Sequence, residues 1–168
     1  MNEFENFSPD SRVWIYASSI PLSETQATAL ESEAKAFAAT WTAHQLPLKA
    51  DAKMIDNLFL VFCVDENQHE VSGCGIDKSV DFMRKAGEKL QVDFFNRTQI
   101  EIHYDGMFQV MSLSAINEML NTNQLSAQSL FADKTITDLQ HFRTHFAKPI
   151  TQAWFFSRLQ PVVSKTGV

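Results

Sequence analysis

The hydrophobic and polar positions of this chain change period several times, and each change marks an element. The stretch "RVWIYAS" from Arg12 is dense in β-branched and aromatic residues and predicts a strand. In the next stretch Ser23 stands three residues before Gln26, a capping box. Leu30, Ala34, Phe37, Ala38 and Trp41 then recur at helical spacing. Leu48, Ala50, Ala52 and Met54 alternate with Lys49, Asp51 and Lys53, the pattern of a strand with one wet face. Asp56-Asn57 predicts a turn. The run "LFLVFCV" from Leu58 to Val64 is apolar throughout, so it reads as a central strand covered on at least part of both faces.

Helical spacing returns from about Asp77 to Leu90, with Ile76, Val80, Met83, Gly87 and Leu90 along one face. "QIEIHYDGMFQVM" predicts a hairpin. Pairing His103 with Met107 around a loop of Tyr104, Asp105 and Gly106 places Ile100, Ile102, Phe108 and Val110 on one face. A buried face sets register, so this pairing is expected, with Gly106 in the left-handed conformation. Ser112 predicts the cap of a short helix through Leu120, and Thr137 with Gln140 a second capping box. That helix would bury Leu139, Phe142 and Phe146 and stop at Pro149. Ile150, Trp154, Phe155 and Leu159 suggest a final helix or turn.

The order strand, helix, strand, strand, helix, strand is the ferredoxin-like pattern, here with an added hairpin strand. The expectation is an α+β fold: one antiparallel ferredoxin-like sheet, helices on one face, and a helical C-terminal extension over 112–168. Residues 1–10 read as a flexible N-terminus. The length, 168 residues, suits a single domain over 1–168. Phe occurs 14 times, which implies an aromatic-rich core, with Trp14, Trp41 and Trp154 inside it.

The order and wording of several segments resemble a family of small bacterial proteins often labelled "ABC transporter ATPase". The resemblance runs through "RVWIY", "FAATWTAHQLPLKA", "VSGCGIDKSV", "VDFFNR", the "YDG" hairpin and "KPITQAW". It covers nearly the whole chain and is most specific at "SGCGID". The label implies nucleotide hydrolysis. A Walker A loop needs G-x-x-x-x-G-K-[ST], so that backbone amides wrap the phosphates. Aligned on Lys78-Ser79, this chain has Ser72 and Asp77 where the glycines belong, and Asp77 puts a carboxylate where phosphate charge would sit. ATPase activity is therefore not expected.

Charge narrows function further. Net charge is −6, and basic residues do not cluster, so nucleic acid is not expected as a partner. The apolar run at Leu58 is too short to span a bilayer, and "MNEFENFSPD" carries no signal-peptide pattern. A cytoplasmic location with no membrane contact is expected. Two cysteines, Cys63 and Cys74, do not make a disulfide framework, and Cys63 reads as a small core residue.

Candidate chemistry gathers at "EVSGCGIDKSV". Ser72, Gly73, Cys74, Gly75, Asp77 and Lys78 could form a loop whose free amides hold an anion or a partner's carboxylate. They could also be only a capped turn into a helix. Cys74 could act as a nucleophile or redox thiol, given a base such as His44, His69 or His103. His141 and His145 stand at i and i+4, the spacing of two metal ligands on one helix, without a third ligand in the sequence. No cofactor is expected. The reading favoured is a non-catalytic module binding a small ligand or a protein, a second copy of itself included. The alternative is an enzyme using Cys74 near the Gly73–Asp77 loop.

Overall fold

A computed structural model describes residues 3–43, 45–67, 69 and 71–160. In chain order the elements are β1 (Arg12–Ala17), α1 (Glu24–Ala39), β2 (Thr42–Ala43), β3 (Leu46–Pro47), β4 (Lys49–Ile55), β5 (Phe59–Asp65), α2 (Gly73–Leu90), β6 (Ile100–Tyr104), β7 (Met107–Met111), α3 (Leu113–Asn121), β8 (Leu130–Ala132), α4 (Leu139–His145) and β9 (Ala147–Pro149). The protein is a mixed α/β chain whose two larger sheets are both antiparallel. It divides into two compact units, Met1–Arg97 with Lys134–Phe146, and Thr98–Asp133 with Ala147–Val168.

The first unit is built on β5. Its apolar run has no polar side to turn to water, so both faces must be covered. Phe59 to Val64 are all fully buried. The sheet order is β1-β5-β4, with Trp14 opposite Phe62 and Ala52 opposite Phe62 from the other side. On that face α1 and α2 pack Leu30, Ala34, Met83 and Ala86 against Leu60, Phe62 and Val64. The Ser23–Gln26 capping box is formed in both directions.

On the opposite face Phe59 meets Phe146 edge-on, ring centroids 5.1 Å apart, and Phe146 in turn lies against Phe142. Helix α4 thus covers the second face, where helices on one face alone were expected. Glu3 and Phe4 are held as well. Phe4 is buried, and the Arg143 guanidinium donates to the carbonyls of Glu3 and Phe4.

The expected ferredoxin-like sheet is not completed. Its first three strands take the order 1-3-2, as β1-β5-β4, but the fourth strand does not pair with β1. The free edge of β1 is occupied instead by the segment before α4, with the Val13 N–H donating to Thr137 O at 2.9 Å and a bridge between Arg12 and Asp138. This also moves the α4 cap. Thr137 is engaged beside β1, so Asp138, the next residue, caps the helix by accepting from the His141 N–H. Thr137 was expected in that place.

The second unit holds the hairpin in its own sheet, order β7-β6-β8-β9. Strands β8 and β9 fall in a stretch expected to be helical. They are three residues each, too short for alternation to show in sequence. Helix α3, capped by Ser112, and two 3-10 turns at 150–152 and 156–158 bring Ile116, Ile150 and Phe155 against Ile100, Ile102 and Phe131. Trp154 is 48% exposed, not a core residue.

The hairpin register differs from the expected one. Tyr104 pairs with Met107 and Ile102 with Gln109 around a two-residue turn. Asp105 and Gly106 have φ of 53° and 84°, as a type I′ turn requires. The expected register assumed a single buried face. Here Ile100, Glu101 and Ile102 are all buried in succession, and Phe108 is buried beside the His103 ring on the face away from Ile102. With both faces partly covered, burial no longer selects a register, and the twist of the I′ turn does.

Candidate functional site

The start of α2 is where the sequence concentrates its candidates. The helix begins at Gly73, four residues earlier than the expected Asp77. Ser72 is the cap, its Oγ accepting from the Gly75 N–H at 3.4 Å. Glu66 accepts the Val71 N–H just before it, which fixes the approach of the chain. Gly75 is buried because Trp41 lies over it. The Trp41 indole N–H donates to Gly75 O at 2.9 Å, and a Cβ on Gly75 would come within 3.0 Å of Val71 Cγ1. The residue types of "VSGCG" are therefore those of a capped helix start seated on a tryptophan.

The remaining candidates are exposed or engaged elsewhere. Gly73 and Asp77 are exposed, and so is Cys74. Lys78 Nζ donates to Thr42 Oγ1 at 3.0 Å, tying α2 to β2. No described residue makes a hydrogen bond to the Cys74 thiol. His69 is half-buried and bonds to no described residue, while His103 is exposed against Phe108. His44 lies outside the described residues. Cys63 is the opposite case. Burial pushes its thiol up to about 12, so it stays protonated and unreactive at neutral pH.

The other end of α2 carries a depression that sequence reading did not single out. The helix ends at Gln91, in the left-handed conformation, and the Val92 N–H turns back to Gly87 O at 3.0 Å. This backward fold needs glycine at 87, since a Cβ there would sit 2.8 Å from the Val92 carbonyl oxygen. The chain then runs close along the helix and leaves an open surface depression of about 360 Å³. Met83, Gly87, Val92, Phe94 and Phe95 line its apolar part, and Arg84, Glu88, Gln91 and Asp93 its polar part. The Asp93 N–H donates to Ser19 Oγ, which brings the loop carrying Ile20 beside this segment. Phe95 is 42% exposed, edge-on to Tyr16, and Ile20 is 57% exposed. The signal available in sequence was "GEKLQVDFF": a glycine in a helix followed by apolar residues after its end.

His141 and His145 lie on the exposed side of α4, ring centroids 5.6 Å apart. Among the described residues no group of three or more His, Cys, Asp or Glu is placed to hold a metal. No helix among them is long and apolar enough to cross a membrane. Compared with protein-family models, curated proteins and solved structures, the chain matches none.

Proposed function

We propose that this protein is a non-catalytic binding module whose first unit receives an apolar side chain of a partner protein at the end of α2. The observation that carries the reading is the open depression of about 360 Å³, lined in part by the exposed Phe95. Apolar pockets with a few polar groups at the edge are the usual form of binding sites, and exposed aromatics beside them supply anchors. The mixed charge of Arg84, Glu88 and Asp93 suits a polar rim around an apolar centre. The strand and helix order of this unit, with its sheet order β1-β5-β4, supports reading it as an incomplete ferredoxin-like unit. The engagement of Lys78 by Thr42 supports the expectation that ATP is not hydrolysed, since a Walker lysine must reach phosphate.

The test is an NMR titration with N-acetyl-phenylalanine amide and N-acetyl-leucine amide. Saturable amide shifts confined to residues 83–95, lost in Phe95→Glu, are expected. Shifts centred on Gly73 and Cys74 instead would move the site to the start of the helix. An absence of saturable shifts would remove the reading.

A further inference from the structure

The two histidines of α4 are oriented by neighbours in a way that their spacing alone does not require. The His141 Nδ1 lies 2.8 Å from both carboxylate oxygens of Asp138. The same carboxylate also caps the helix, accepting from the His141 backbone N–H at 2.9 Å. An ionised carboxylate only accepts, so His141 Nδ1 is the protonated nitrogen. The same logic applies one turn on. Thr144 Oγ1 has a single proton and donates it to Gln140 O at 2.7 Å. It must therefore accept from His145 Nδ1, also at 2.7 Å. In the neutral form of both rings this leaves the two Nε2 atoms as lone-pair acceptors, on one exposed face of one helix.

We propose that His141 and His145 form a bidentate surface site for a divalent transition-metal ion of the copper, nickel or zinc type. Neutral imidazole suits these ions, and i,i+4 spacing on a helix is a known way to present two such ligands together. A histidine that binds metal through one nitrogen commonly donates its other N–H to a carboxylate or another acceptor, which fixes the ring and strengthens the ligand. Both rings meet that condition before any ion arrives. The protein supplies two donors, so solvent completes the coordination and the ion exchanges freely. Arg143 lies between the two in sequence but sends its guanidinium to the carbonyls of Glu3 and Phe4, away from the site.

The experiment is calorimetric titration of the tag-free full chain with Cu²⁺, Ni²⁺ and Zn²⁺ at pH 7.5, alongside histidine NMR signals with Zn²⁺. One-to-one binding that perturbs the His141 and His145 rings together is expected, tightest for Cu²⁺. His145→Ala should weaken it by about 10-fold or more, and so should His141→Ala. Asp138→Asn keeps a good helix cap, so α4 is retained while the carboxylate is lost. A weakening of about 10-fold is expected there. Binding that survives either His→Ala change undiminished would overturn the proposal, as would ring signals that respond separately or not at all. Circular dichroism on each variant separates loss of the site from loss of the fold.

Discussion

The two ends of α2 both rely on a glycine for close packing, but they leave different surfaces behind. At the start, the space Gly75 leaves is taken by Trp41 and Val71, and the indole bonds back to Gly75 O. The result is a filled, anchored helix terminus. At the end, the space Gly87 leaves is taken by a backbone carbonyl, and the chain folded over the helix leaves an open depression beside Phe95. A glycine next to a cysteine resembles many functional loops, which drew attention to the start. Whether small residues make a site depends on what occupies the room they leave, and that is a property of the packing.

This contrast can be broken in several places. The largest effect is expected at Trp41. It is fully buried against Trp14, Phe37 and Phe62 as well as α2. Trp41→Ala should cost about 3–5 kcal/mol in urea unfolding. A loss under about 1 kcal/mol would mean the helix start does not rest on it.

The glycines should then differ in sign. Alanine gains about 1 kcal/mol over glycine within a helix. At Gly87 that gain meets a backbone carbonyl 2.8 Å from the new Cβ, which cannot move as a side-chain tip would. Overpacking of about 1–3 kcal/mol should outweigh it, so Gly87→Ala should lower the melting temperature. Around Gly73 nothing lies within 4 Å, so Gly73→Ala should raise stability by about 0.5–1 kcal/mol. Equal signs at the two positions would defeat the distinction drawn between the helix ends.

Ser72→Ala should cost about 0.5 kcal/mol, the low end for a cap, because its hydrogen bond is long at 3.4 Å. The smallest change in stability is expected at Cys74→Ser, within about 0.5 kcal/mol, since the side chain is exposed. The thiols themselves should separate sharply. Alkylation of the native protein should modify Cys74 first at every pH tested. Cys63 is raised in the folded state, so its thiolate is scarce below its value of about 12 and its labelling should rise only as pH approaches that range. Mass spectrometry finding Cys63 modified first at pH 8 would contradict its place in β5.

Much of the first unit was legible from residue pattern. The Ser23–Gln26 box and the buried run of β5 each state a local preference strong enough to survive folding, whereas β4 forms without the expected wet face, Asp51 and Lys53 being as half-buried as Ala50 and Met54. The hairpin register was misread because pattern matching assumed one buried face, while Glu101 and Phe108 are buried on the other. The candidates at 72–78 were expected as a loop or turn leading into a helix from about Asp77, whereas the helix already starts at Gly73, and the sequence could not show that Trp41, 34 residues before Gly75, fills the space beside it. The depression at residues 83–95 was missed because no residue in it belongs to a recognised motif.

Local preferences of these kinds were open to reading because they act between residues a few positions apart, through backbone hydrogen bonds and side-chain spacing. Strand partners were not. Only folding determined that β6 would not take the outer edge of β1 and that Thr137 would stand there instead, since an edge strand presents the same donors to any segment that can reach it. The same holds for the two histidines of α4. Their spacing was visible in the chain, but the acceptors that orient their rings depend on which residue caps the helix, and β1 decided that by taking Thr137 for its own edge.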